Sequence, residues 1–140
     1  MMKLSTGLYN CFKSFKQHFP TGVVTSPNFP DDYPHNLYET ERIKVRDGLT
    51  ISLQFIDFDI HIASSGSCYD HLAIMDGNGT TLMEESCGSS LPAKITSTTN
   101  TVDLIFITSS IISKPGWKVI WSAVTPGECL DYLLFFSKRP

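Results

Sequence analysis

A chain of 140 residues is long enough to bury one two-layer core, and its composition is typical of a folded globular domain. Hydrophobic residues make up 41% and charged residues 18%, which excludes a disordered, highly solvated chain. The net charge of −3 gives no electrostatic footprint for binding nucleic acid or an anionic membrane surface.

Residues 1–21 are expected to form an N-terminal extension. Apolar side chains at residues 8, 12, 15 and 19 recur at helical spacing, which is compatible with a short amphipathic helix. Polar residues interrupt the apolar run that a signal peptide needs, so none is visible in this stretch. Near the other end, residues 132–136 are apolar but too few to span a bilayer, and no transmembrane segment is expected.

Between these termini, short strands separated by turns predict an all-β domain. Pro27, Pro30 and Pro34 exclude a helix from the first part of this region. Residues 49–55 alternate between apolar and polar, and the apolar phase shifts at Ile56, which predicts a bulge or a crossing between sheets. Further strands are predicted at residues 42–45, 95–99, 102–107 and 116–121. Their number and spacing favour an antiparallel β-sandwich.

A β-hairpin is predicted around Asp76-Gly77, with one cysteine near the outer end of each arm. Cys68 and Cys87 are placed for a disulfide, which would contribute about 3 kcal/mol and suits a secreted recognition module. Two unrelated free thiols are the alternative. Cys11 and Cys129 lie outside the patterned region, and the sequence does not decide whether they bridge each other.

The chain carries few candidates for chemistry. Asn78-Gly79-Thr80 is a glycosylation triplet at the predicted hairpin tip, where an exposed loop would accept a glycan. His61 with Asp70-His71 is an alternative zinc or pH-sensitive site, and Asp57 with Asp59 is an alternative acid–base pair. No hydrolase motif accompanies them. We therefore favour solvent-facing roles for these residues and expect a protein that is not an enzyme.

The order of several motifs resembles that of the CUB domain family. These motifs are residues 22–34 and 55–60, Cys68-Tyr69-Asp70, Cys87-Gly88, Pro92, Ser97-Thr98, Asn100, Phe106 and Gly116-Trp117. The resemblance covers residues 22–124 and leaves residues 125–140 as a C-terminal tail or the start of a missing module. It implies an extracellular, jelly-roll-like antiparallel β-sandwich.

The first departure from the family pattern concerns cysteine. Most CUB domains have a Cys and then a Trp after the Tyr-Pro step, where this chain has Glu39 and Glu41. The resemblance therefore implies that the usual first disulfide is absent and that Cys11 lacks its customary partner. This single-bridge pattern is similar to that of the first CUB domain of the complement-initiating serine proteases.

The second departure concerns calcium. The resemblance implies three acidic calcium ligands, and this chain keeps Asp70 but has His61 and Ser109 at the other two positions. Calcium requires several hard oxygen ligands, and a neutral imidazole is a poor substitute. We therefore expect no cofactor and no bound calcium.

The sequence thus favours a non-catalytic, secreted recognition module that binds an extracellular protein or a cell-surface glycan, with dimerisation through the CUB region as an option. Binding is expected through loops at one end of the sandwich. These loops are residues 62–67, 78–81 and 109–114, with Ser64, Ser65 and Lys114 as candidate contacts. Two alternatives stay open. The chain is a fragment of a modular protease, of the complement-initiating serine protease type or the tolloid-like type, or it is a standalone spermadhesin-like carbohydrate-binding protein.

Overall fold

A computed structural model describes residues 19–126, and in this range the chain forms eight β-strands and no helix. The strands are β1 Thr21–Thr25, β2 Tyr38–Lys44, β3 Thr50–Asp59, β4 His71–Asp76, β5 Thr81–Ser86, β6 Ile95–Thr96, β7 Thr101–Ile107 and β8 Gly116–Val124. Within these residues no helix is long and apolar enough to cross a membrane. The predicted N-terminal helix, Cys11, Cys129 and most of the C-terminal tail lie outside the described residues.

The strands form two four-stranded sheets, and every strand pair is antiparallel. One sheet has the order β1-β8-β3-β6 and the other has the order β2-β7-β4-β5. Strands β1 and β2 are each at the edge of their sheet, and the Pro-rich segment of residues 26–37 connects them. The predicted antiparallel β-sandwich is confirmed.

The core lies between the sheets and is built from alternate residues of the central strands. Val102, Leu104 and Phe106 of β7 are almost fully buried, while the residues between them are half-buried. Trp117 of β8 meets Phe106 edge-on across the sandwich, with ring centroids 5.8 Å apart. Because fully burying one such side chain contributes about 1.5–3 kcal/mol, this alternation accounts for the assembly of the two layers.

The phase shift predicted at Ile56 is a β-bulge in β3. Phe55 pairs with Val119 and Asp57 pairs with Lys118, so Ile56 is the extra residue opposite β8. Ile56 is 39% exposed, whereas the residues on the core side before and after the bulge stay buried. The bulge therefore lets one long strand keep its apolar residues on the core face after the change of phase.

Strand β2 is longer than the strand predicted at residues 42–45 and begins earlier. Within it only Ile43 is buried, because β2 is an edge strand with polar residues at most of its positions. Such a strand lacks the alternation that marks a half-buried strand in a sequence. The prediction of its boundaries was therefore wrong.

The strand predicted at residues 95–99 is also shorter in the structure, where β6 ends at Thr96. Thr98 and Thr99 donate backbone and hydroxyl hydrogen bonds to the Asp76 carboxylate instead of continuing a ladder. Burial alone would raise the pKa of Asp76, but the hydrogen bonds from Thr99, Thr98 and Gly77 outweigh it and hold that pKa below its usual value. This cluster fixes the tip of the β4–β5 hairpin to the segment after β6.

Candidate functional site

A disulfide fastens together the outer ends of the β4–β5 hairpin. Cys68 lies just before β4 and Cys87 lies directly after β5, with their Cα atoms 5.5 Å apart. The predicted bridge is confirmed. Beside it, Gly88 and Ile60 exchange two backbone hydrogen bonds of 2.8 and 2.9 Å. These contacts tie the loop between β3 and β4 to the hairpin and define one end of the sandwich. We call residues 60–70 and 108–114 the Asp70 end.

Asp70 lies at the centre of this end and is completely buried. Its Oδ2 atom accepts a 2.7 Å hydrogen bond from the Tyr33 hydroxyl, and its Oδ1 atom accepts a 2.6 Å hydrogen bond from the Ser109 backbone N–H. The same Tyr33 hydroxyl accepts a 3.0 Å hydrogen bond from the His61 backbone N–H. One carboxylate thus joins three separate chain segments.

Tyr33 supplies a neutral donor to this buried carboxylate. Its ring is 2% exposed and packs edge-on against Phe106, with centroids 5.1 Å apart. Burial, together with the hydrogen bond and negative charge of Asp70, raises the pKa of the Tyr33 hydroxyl and outweighs the opposing effect of the His61 N–H. Tyr33 therefore keeps its proton. The sequence indicated only a Tyr-Pro step here and gave no sign of this contact.

The structure brings together Asp70, His61 and Ser109, the three positions that the resemblance associates with calcium. They are connected through backbone groups of His61 and Ser109 and not through side-chain ligands. Ser109 and His61 each use a backbone N–H, and the Ser109 hydroxyl is buried without a hydrogen-bond partner among the described residues. Asp70 is the one carboxylate of the three positions, and both of its oxygens already accept hydrogen bonds. This donor set does not fit calcium, which takes six to eight oxygen ligands.

The His71 ring, which lies near this end, makes other contacts. The Nδ1 atom of His71 lies 3.1 Å from the Cys68 carbonyl, and its Nε2 atom lies 3.6 Å from Glu85. Within residues 19–126, no three His, Cys, Asp or Glu side chains are grouped so that they could hold a metal ion. The structure therefore gives the zinc alternative no support.

The solvent-facing side of the Asp70 end carries apolar side chains on two neighbouring loops. Ile62 is 48% exposed, Ile111 is 69% exposed and Ile112 is 45% exposed. A cleft of about 400 Å³ is lined by Ile62 and Ile112 together with His61, Lys114 and Asp59. We call Ile62, Ile111 and Ile112 the isoleucine patch. Sequence reasoning named the two loops but missed this patch.

The other predicted contacts are divided between the two ends of the sandwich. Ser64 and Ser65 are exposed in a turn at the Asp70 end, and Lys114 is exposed in the neighbouring loop. Residues 78–81 lie at the opposite end, because β4 starts beside the end of β7 and finishes beside its start. Grouping that loop with the other two was therefore wrong. Asn78 is exposed at the hairpin tip.

Comparison with known proteins identifies the class to which this sandwich belongs. The CUB domain family model matches residues 11–121, so the chain belongs to the CUB family. Neuropilin-2 of Rattus norvegicus is 37% identical over 119 residues, which cover 80% of this chain and 13% of neuropilin-2. The chain therefore spans a small part of this much longer relative.

Solved structures agree with this assignment. The CUB1-EGF-CUB2 structure of human MASP-1/3 superposes with a TM-score of 0.69 at 30% identity, covering 74% of this chain and 39% of that one. The MASP-1 CUB2 domain bound to Ca²⁺ gives a TM-score of 0.66 at 27% identity, covering 72% of this chain and 90% of that one. The bound Ca²⁺ is a property of that MASP-1 domain.

Proposed function

We propose that this CUB domain is a non-catalytic, extracellular recognition module whose Asp70 end binds a partner protein. The observation that carries the proposal is the isoleucine patch, which lies on loops that the buried Asp70 cluster holds in place. Exposed apolar side chains that cluster on ordered loops are typical of protein-binding surfaces. Relatives such as neuropilin-2 contain CUB domains within much longer chains, which supports a role as one module among several.

A protein partner explains this surface better than a glycan. The centre of a protein interface is apolar and excludes water, and its rim is polar. The isoleucine patch would supply such a centre, while Ser64, Ser65 and Lys114 would belong to the rim. A glycan offers mostly hydroxyl groups, which branched aliphatic side chains do not pair with. Binding of a cell-surface glycan is the second candidate, and dimerisation through this domain is a third.

We assign no catalytic step to the domain. Phe58 between the two acidic residues of β3 is buried in the core, while Asp57 is exposed beside its cross-strand neighbour Lys118. That exposed setting is typical of a solvated surface residue rather than of an acid–base pair in an active site. Peptidase or glycosidase turnover by homogeneous protein, lost on Asp57→Asn, would overturn the proposal of a binding module.

Binding of the purified domain to cultured cells, measured by flow cytometry, tests the proposal. Ile112→Asp should remove most binding because it places a charge in the apolar patch, and Lys114→Glu should weaken binding because it reverses a charge beside that patch. Ser64→Glu and Ser65→Glu should act in the same direction. Thermal midpoints should change little, since exposed loop substitutions usually alter stability by less than about 0.5 kcal/mol. Glu84→Lys on exposed β5 is the matched control for charge reversal and should bind normally.

Treatment of the cells separates the candidate partners. Brief proteolysis of the cell surface should abolish binding, whereas enzymatic removal of glycans should leave it intact. The opposite result would favour the glycan candidate. Normal binding by both Ile112→Asp and Lys114→Glu would exclude the Asp70 end as the contact surface. The proposal also includes secretion of the protein and glycosylation of Asn78. Intact-mass measurement before and after N-glycosidase treatment tests the glycosylation.

A further inference from the structure

A second surface lies along the side of the sandwich, where the edge strands of the two sheets meet. A cleft of about 310 Å³ opens there between residues 25–29 on one side and Glu39 and Glu41 on the other. Leu104, Phe106 and Trp117 line the same cleft. It is separate from the Asp70 end, and neither the family match nor the proposed function assigns a role to it. We call it the edge cleft.

Two carboxylates stand on the core side of β2. Glu39 pairs with Phe106 and Glu41 pairs with Leu104 across the β2–β7 ladder. Residues directly opposite each other in a ladder share a face of the sheet, and Phe106 and Leu104 face the core. Glu39 and Glu41 are nevertheless exposed, which places them at the mouth of the edge cleft. Because Glu39 and Glu41 are two residues apart on one strand, their Cα atoms are about 7 Å apart.

These carboxylates have no cation beside them among the described residues. The ion pairs in residues 19–126 use other acids, since Arg42 binds Asp103 and His71 lies near Glu85. Arg42 neighbours Glu41 in sequence, but it lies on the opposite face of β2 and donates two hydrogen bonds to Asp103. The edge cleft is thus an acidic opening with an apolar wall formed by the partly exposed side chains of Pro27 and Phe29.

A second, independent observation indicates that this cleft takes a ligand. Trp117, which lines the cleft, is 2% exposed, and its Nε1–H has no acceptor among the described residues. A buried donor without a partner is costly and uncommon in folded proteins. A ligand that fills the cleft and brings a carbonyl oxygen would supply the missing acceptor.

We propose that the edge cleft binds a lysine or arginine side chain presented on an extended segment of a partner protein. The aliphatic stem would pack against the partly exposed side chains of Pro27 and Phe29, while the cationic head lies between Glu39 and Glu41. The backbone carbonyl of that residue, or of its neighbour, accepts from the Trp117 Nε1–H. The long stem and terminal charge of these side chains match a site with an apolar wall and an acidic mouth.

Titration of the ¹⁵N-labelled full chain with Nα-acetyl-lysine N-methylamide tests this proposal. The chain has two tryptophans, so the indole N–H signal of Trp117 is separable from that of Trp121. We expect a saturable shift of the Trp117 signal in the millimolar range that weakens as salt is added. The norleucine analogue has a similar apolar stem without the charge and should bind much more weakly.

Matched variants decide which residues are responsible. The double variant Glu39→Gln/Glu41→Gln should weaken probe binding about fivefold, the effect expected from losing two exposed ion pairs. Glu84→Gln on β5 removes a remote charge and should change nothing, and Lys114→Glu should also leave probe binding intact. A Lys114→Glu variant with weakened cell binding but unchanged probe binding separates this proposal from the proposed function.

Several outcomes would overturn the edge-cleft proposal. One is equal binding of the norleucine analogue, and another is unchanged affinity in a folded Glu39→Gln/Glu41→Gln variant. Increased self-association of that variant with no change in probe binding would mean that the two acids only protect an edge strand. If the probe is inert but Lys13→Gln or Lys16→Gln shifts the Trp117 signal, the occupant is this chain's own N-terminal segment rather than a partner.

Discussion

The hydroxyl of Tyr33 donates a 2.7 Å hydrogen bond to Oδ2 of Asp70, and both residues are at least 98% buried. This bond connects the Pro-rich segment after β1 with the loop that precedes β4. Because the same hydroxyl also accepts from the His61 N–H, a single oxygen satisfies two polar groups away from water. The loops of the Asp70 end therefore depend on Tyr33 for their arrangement.

Tyr33→Phe should destabilise the domain by about 1–3 kcal/mol, because it leaves Oδ2 of Asp70 and the His61 N–H without a partner inside the protein. Urea unfolding followed by fluorescence measures the change in the free energy of unfolding. Tyr38→Phe is the control, since Tyr38 is 76% exposed and its hydroxyl faces water. Equal stability of the Tyr33 variant and the wild type would mean that this bond contributes nothing net.

The Asp70 end should not bind calcium at millimolar concentrations. Asp70 already accepts two hydrogen bonds, and His61 and Ser109 offer no carboxylate. Isothermal calorimetry and a calcium-dependent thermal shift test this. A clear response that Asp70→Ala removes would prove the prediction wrong.

A designed variant extends this test. His61→Glu combined with Ser109→Asp should create calcium binding, because it places three carboxylates at one end of the sandwich. The expected result is a calcium-dependent rise of the thermal midpoint that the wild type lacks. The control is the same double variant carrying Asp70→Asn, which should lose the response if the three positions act together.

Stability should fall in acid because of Asp76. The hydrogen bonds from Thr98, Thr99 and Gly77 hold its folded-state pKa below the unfolded value of about 3.9. The ionised Asp76 carboxylate therefore adds to the free energy of unfolding at pH values above its unfolded-state pKa, which is about 4. That added stability is lost as the pH falls through the lower, folded-state pKa. Urea unfolding at a series of pH values measures it.

Asp76→Asn serves as the comparison for that series. The variant should be less stable at neutral pH and should lose less stability on acidification, because it no longer has a carboxylate to protonate at this position. Asp103, whose pKa the Arg42 side chain lowers against the opposing effect of burial, contributes to the remaining acid sensitivity. Parallel curves for wild type and variant below pH 4 would show that Asp76 is not responsible.

The sequence predicted those parts of the fold that follow from short-range patterns. Alternation over residues 49–55 gave the start of β3, and the phase change at Ile56 gave its bulge. Polar edge strands carry no such pattern, which is why the bounds of β2 were wrong. The sequence was sufficient to place residues 62–67 and 78–81 at opposite ends of the sandwich. These two loops flank β4, and a six-residue strand separates its flanking loops by about 20 Å.

The candidate site was less accessible to prediction because it depends on contacts between distant segments. Asp70, His61 and Ser109 were named from motif positions, but nothing in the sequence indicated that two of them would act through backbone N–H groups. Ile111 and Ile112 form an apolar pair in a loop, and a sequence alone does not distinguish an exposed pair from a buried one. Solvent exposure of that kind is decided by the packing of the whole end.

Removing the Cys68–Cys87 bridge should affect the Asp70 end more than the hairpin tip. The bridge closes a loop with a sequence separation of 19 residues, and its loss should cost about 3 kcal/mol of stability. Urea unfolding of the Cys68→Ala/Cys87→Ala variant measures this cost. Backbone amide exchange should then rise most in residues 60–70, which the bridge ties to the hairpin, while residues 76–80 stay protected by the Asp76 cluster. Uniform exchange along the hairpin would contradict this account, and so would peptide mapping of unreduced protein that finds both thiols free.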